Sequence, residues 1–151
     1  NIYPSSEEAF NAVKELYNDC CMPFYESMID AVLLNDFDSK QFYDLKFNLI
    51  HQKILYSSLY DDRELQKFIY ERWTKYGLDL LIESGKEESV ILDYLSQYAD
   101  SEAVQVNYVD YYVRKGHYQK ALDILDEHTG HAYEVKRQEV IEAMNHHKEV
   151  S

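Results

Sequence analysis

The chain has 151 residues, of which 46 % are hydrophobic and 28 % charged, with 4 Gly and 2 Pro. That balance sets aside disordered and fibrous chains and suits one domain with a single sizeable core. Lys and Arg number 15 against 28 Asp and Glu, a formal charge of −13 with no basic stripe anywhere, which argues against direct contact with nucleic acid or an anionic membrane surface.

Helix signals recur from end to end. Ser5 with Glu8 forms a capping box, followed by Phe10, Val13, Leu16 and Tyr17 at helical spacing, and the helix should stop near Cys20. Pro23 suits a first helical position, with Phe24, Tyr25, Met28, Ile29, Val32 and Leu33 behind it, and residues 35–38 form the loop that ends the helix. Ser39 caps a third helix through Phe42, Leu45, Leu49, Ile50, Ile54 and Leu55, reaching as far as Leu59. Asp61 with Glu64 makes a second capping box, and Leu65, Phe68, Ile69, Trp73 and Tyr76 give a strong stripe that Gly77 should stop.

A short turn of helix from Leu78 to Ser84 is then closed by Gly85, and Val90, Ile91, Tyr94, Leu95 and Tyr98 mark the next. Ser101 opens a helix apolar on nearly every side, from Val104 to Val113, which must therefore be covered on more than one face. Its β-branched content makes it the one stretch that also suits a strand. Two last helices run from about Tyr118 to Glu127 and from about Tyr133 to His147.

Eight or nine short helices with brief connectors predict an all-α fold, and the all-round apolar helix favours an irregular α-solenoid of stacked antiparallel helix pairs. Residues 1–151 read as a single helical domain. The absence of an initial Met suggests a piece of a longer solenoid, with 1–60 as upstream helices. Fifteen Tyr against 6 Phe and 1 Trp supply many rings with a polar tip, suited to wet packed interfaces.

Most chemical signatures fail on spacing. The glycines at 77, 85, 116 and 130 form no phosphate-binding pattern. The acidic loop from Asp36 to Asp38 has Gln41 and Phe47 where a calcium loop needs Gly and Glu. Cys20 and Cys21 are adjacent, which points to reduced structural thiols in a cytosolic or nuclear compartment; a nucleophilic role would need His51 or His117 beside them. His128, His131, His146 and His147 read as solvated helix-end residues rather than zinc ligands. The carboxylate pairs Asp61 with Asp62 and Glu87 with Glu88 sit where helices begin and complement the macrodipole. No catalytic, cofactor or metal residue is therefore assigned, and no apolar run approaches the ~20 residues of a spanning helix.

The informative stretch is Asn107 to Leu125. Gly116 ends one helix, Tyr118 packs back over the turn, and Ala121 lets the next helix approach, the tight hairpin turn of tetratricopeptide-type and other helical repeats. Any antiparallel helix pair offers the plainer reading. A weaker echo, Trp73 to Leu81 around Gly77, lies upstream by more than the tetratricopeptide period of about 34 residues, so an irregular solenoid fits better than a regular array.

From Asp61 to Met144 the order of features resembles the C-terminal α-solenoid of the large inner-ring scaffold nucleoporins, the one-fifty-five/one-seventy kilodalton family. The matching residues are Asp62, Leu65, Tyr70 and Trp73 of one helix, Leu78 to Ile82, Val90 to Leu95, the Tyr108 to Leu125 hairpin, and Val135 to Ile141 of the last helix. Outer-ring nucleoporins and vesicle-coat solenoids show a similar succession. The resemblance implies a non-enzymatic scaffold segment of the nuclear pore complex at the nuclear envelope. It would contact neighbouring nucleoporins, need no cofactor and support nucleocytoplasmic transport. On that reading Phe10, Val13 and Tyr17 form an outer face that stacks on upstream repeats. The alternatives are a tetratricopeptide-like or coat-like adaptor, cytoplasmic in setting, that binds a peptide in a groove, and a small helical enzyme, which should show a buried pocket with at least two titratable groups.

Overall fold

The computed structural model describes residues 7–19 and 23–150. Among these the chain is all-helical, with eight α-helices and no strand. They are α1 (Glu7–Glu15), α2 (Pro23–Asn35), α3 (Tyr43–Tyr56), α4 (Arg63–Glu83), α5 (Glu88–Gln97), α6 (Glu102–Arg114), α7 (Tyr118–Asp126) and α8 (His131–Val150). Short 3-10 turns follow α1 at Leu16–Asp19 and α3 at Ser57–Leu59. Ser5 of the first capping box, Cys20 and Cys21 lie outside the described residues.

Two expected helix ends are formed as glycine caps. Gly85 and Gly116 adopt φ +75° and +77°, and each turn returns two amide hydrogens to the preceding helix: Gly85 to Ile82 and Lys86 to Leu81, Gly116 to Val113 and His117 to Tyr112. Ser101 caps α6, its hydroxyl accepting from the Val104 amide at 3.4 Å.

Three expected boundaries are corrected. Asp62, not Asp61, caps α4, accepting from the amides of Glu64 (2.8 Å) and Leu65 (3.3 Å). Ser39 does not cap α3. The carboxylate of Asp38 turns the chain by accepting from the amides of Lys40 and Gln41, and α3 begins four residues after Ser39 at Tyr43. Ser39 itself donates to Glu83 at 3.0 Å, tying the α2–α3 loop to the far end of α4.

The third correction is Gly77, which stops nothing. It is buried in the middle of α4, which runs unbroken to Glu83 and absorbs the separate short helix expected from Leu78. Its missing side chain is filled by Tyr94 of α5, whose hydroxyl lies 2.0 Å from where a Cβ would stand and donates to the Thr74 carbonyl at 2.6 Å. The upstream echo of the hairpin turn is therefore a close-approach site, and Gly116 alone of the two makes a turn.

The core falls into two clusters that meet at α3. Ala9 and Phe10 of α1, Ile29 and Leu33 of α2, Phe37, Phe42 and Leu49 form the first, around the ring trio of Phe10, Phe37 and Phe42 with centroids 5.1–6.0 Å apart. Ile50 and Ile54 of α3 open the second, larger cluster, which takes Trp73, Leu78 and Leu81 of α4 and continues through α5, α6, α7 and α8. α6 packs on α4, α7 and α8, so its all-round apolar sequence is covered as a helix, and residues 104–113 hold no strand.

Lys46, in the first turn of α3, is fully buried against the end of α2 and the loop that follows it. Its ammonium donates to the carbonyls of Leu34 (2.7 Å) and Phe37 and to Ser39 Oγ (3.2 Å), so all three protons are used on the C-terminal end of α2 and its loop. Burial pushes its pKa down, opposed by Glu83 and Asp38. Lys46→Met should lower the unfolding free energy by roughly 2–4 kcal/mol, because the freed carbonyls stay buried; a urea midpoint unchanged from wild type would refute this role.

Gly77→Ala separates local preference from packing. Alanine favours an isolated helix by about 1 kcal/mol, yet here it should destabilise by roughly 2–3 kcal/mol as Tyr94 is forced out. In a Tyr94→Ala background the same change should turn neutral or stabilising, which a double-mutant cycle in urea measures.

Candidate functional site

A cleft of about 990 Å³ opens between α1 with its 3-10 turn, α2, α3 and α4. It lies at the seam of the two clusters, with Leu49 of α3 and Trp73 and Ile69 of α4 on its floor. Tyr56, Tyr60 and Leu65 form one wall, because the 3-10 turn after α3 returns the chain beside the start of α4. Gln66 clamps that return by donating to the carbonyls of Ser58 and Tyr60.

The fold leaves large apolar side chains exposed on this wall and on the elements that carry it. Leu65 and Phe68, expected on the buried stripe of α4, are 41 % and 59 % exposed, and at the end of α3 and in its 3-10 turn Tyr56 is 58 % and Leu59 73 % exposed. The stripe is genuine only from Ile69 onward, since the first turn and a half of α4 projects past the end of the core. Exposed large apolar groups on the wall of a cleft suit a surface that takes a partner.

At its back the cleft holds ionisable groups from three helices. Asp30, buried on α2, accepts from the Tyr17 hydroxyl. Lys53 on α3 stands 2.7 Å from Glu26 and 3.4 Å from Asp30. Its ammonium also lies 4.2 Å from the ring centre of Tyr17 and 5.4 Å from that of Trp73, within cation–π range. Arg72 donates to the Tyr76 hydroxyl at 2.9 Å. Burial raises the Asp30 pKa above its ordinary value, opposed by the Tyr17 hydrogen bond and by Lys53.

Asp30 and Lys53 thus answer part of the enzyme criterion, two titratable groups in one cleft. They contact each other, Tyr17 and Glu26, an arrangement that ties α2, α3 and the turn after α1 together. Among the described residues no three His, Cys, Asp or Glu come together as a metal site, and no helix is long and apolar enough to cross a membrane.

The face expected from Phe10, Val13 and Tyr17 is corrected. Phe10 is fully buried in the ring trio and Val13 is half-buried against the same cluster, so only Tyr17, itself half-buried, reaches the cleft. The amphipathic side of α1 is covered by α2 and by the loop carrying Phe37, which spacing along α1 cannot reveal. Gly116 and Ala121 shape the α6–α7 hairpin away from the cleft, Ala121 fully buried, while the Tyr118 ring turns toward α8 and lies 5.7 Å from His147. His128 stacks on Tyr133 at 4.7 Å.

Sequence reasoning missed Asp30 and Lys53. The available signal was a charged residue set inside an apolar run, Asp30 between Ile29 and Val32, and Lys53 between Ile50 and Ile54. Compared with known proteins, the chain matches no protein-family model, no curated protein and no solved structure.

The raised Asp30 pKa carries a stability consequence. Between the ordinary value of 3.8 and the raised one, the folded chain keeps a proton that the unfolded chain has lost. The stability this group supplies is full at low pH and falls as pH rises through the folded value. Asp30→Asn should therefore gain on wild type as pH goes from about 4 to 7. Paired urea midpoints test this, and a drift the other way would mean that attraction to Lys53 outweighs burial.

Proposed function

We propose that this chain is a non-catalytic helical scaffold segment that works by protein–protein contact. The observation that carries the reading is the set of large apolar side chains left exposed on α3, its 3-10 turn and the start of α4, Tyr56, Leu59, Leu65 and Phe68, of which Tyr56 and Leu65 line the cleft. Such side chains on a rigid helical frame are what partner proteins grip. Neighbour-on-neighbour packing of α3 with α4, α6 with α7 and α7 with α8 supports the solenoid arrangement. The resemblance of residues 61–144 to the scaffold nucleoporins supports a place in the nuclear pore, with nucleoporins as partners and transport between nucleus and cytoplasm as the process served.

The peptide-binding adaptor remains the second reading, favoured by the cleft itself, since a concave apolar floor suits a bound segment. A fluorescent fusion of the chain and affinity capture followed by mass spectrometry test both. Rim staining of the nuclear envelope with nucleoporins recovered is the expected result. Diffuse cytoplasmic signal with coat or other proteins recovered would replace the pore assignment by the adaptor reading, and capture of no partner at all would overturn scaffolding.

A further inference from the structure

Resting on the scaffold reading, we propose that the cleft takes a basic amphipathic helix of a partner protein, its apolar face seated on Leu49, Ile69 and Trp73 against the wall of Tyr56, Tyr60 and Leu65. Three observations select this occupant. The floor and wall are aromatic and aliphatic, with Tyr56 and Leu65 of the wall exposed, as the anchor positions of a docked helix require.

The ionisable groups lining it are equal in number, Lys14, Lys53 and Arg72 against Glu15, Glu26 and Asp30, so the cleft lining carries no net charge that a guest must neutralise. The chain as a whole carries −13, which attracts a cationic segment, and the apolar floor turns that segment's basic side outward toward solvent. The same charge disfavours a second copy of this chain, since two such surfaces repel.

The purified chain offers its own reporter, because Trp73 is the only tryptophan and lies in the cleft. The probe is a synthetic peptide of about 14 residues, roughly 21 Å as a helix, with Leu at helical anchor spacing and Lys elsewhere. A scrambled peptide of the same composition and a Leu/Glu counterpart serve as controls. Saturable change in Trp73 emission is expected, with the patterned Leu/Lys peptide bound about tenfold or more tightly than either control and weakened by added salt.

Tyr56→Ser with Leu65→Ser, both exposed positions, should cost about tenfold in affinity while circular dichroism stays helical. Equal response to the scrambled or acidic peptide, no saturable response, or no effect of the double variant would each overturn the proposal. So would sedimentation of the free chain as a dimer that the double variant converts to monomer, which would make a second copy the occupant. If the double variant still captures the same cellular partners, scaffolding stands and the cleft assignment falls. If the peptide binds as described but no partner is captured, scaffolding alone falls.

Discussion

A buried phenol must place its hydroxyl on an acceptor, and for Tyr94 that acceptor is the Thr74 carbonyl on the neighbouring helix, reached only because residue 77 has no side chain. The contact lets α5 lie directly on α4 and holds α4 as one 21-residue rod, the element on which α3, α5 and α6 all pack. The same rod then sets the start of α6. Thr74 and Ser101 share a hydrogen bond at 2.7 Å, and Glu71 accepts from Ser101 and from the Glu102 amide. A cap supplied from another helix fixes both where α6 begins and its distance from α4, linking local helix initiation to tertiary packing.

Other tyrosines repeat the device. Tyr70 donates to Asp100 at 2.6 Å, and Tyr108, Tyr112 and Glu88 form a chain of hydroxyls ending on a carboxylate at 2.7 Å. Burial is the first cause that raises the pKa of Tyr70, Tyr94 and Tyr112, so each stays a donor across the neutral range. Tyr70, Tyr94, Tyr108 and Tyr112 are the part of the tyrosine-rich composition that this device explains. A phenylalanine would fill the same space but leave the helix-to-helix register to packing alone.

Where the two core clusters meet, apolar packing gives way to the ions of α2 and α3. An interior ion pair adds little net stability once desolvation is counted, while losing one partner is costly. Lys53 between Glu26, Asp30 and two rings therefore acts mainly to fix how α2 and α3 sit together, and so the width of the cleft. The exposed first turn and a half of α4 completes that opening, and the functional reading of the molecule follows from it.

The sequence by itself determined the helices, because amphipathic spacing, capping side chains and positive-φ glycines act within a few residues of each other. The ends at Gly85 and Gly116, the cap at Ser101 and the need to cover α6 on several faces were all legible from neighbouring residues. Gly77 was not. A glycine that ends a helix and one that admits a ring from another helix look alike along the chain, and only the position of Tyr94 separates them. In the same way the spacing of Phe10, Phe68 and Lys53 marks a helical face but not what lies opposite it. Tertiary packing decided that Phe10 is core, that Phe68 is surface and that Lys53 meets Asp30, because burial depends on residues distant in sequence, which no local pattern specifies.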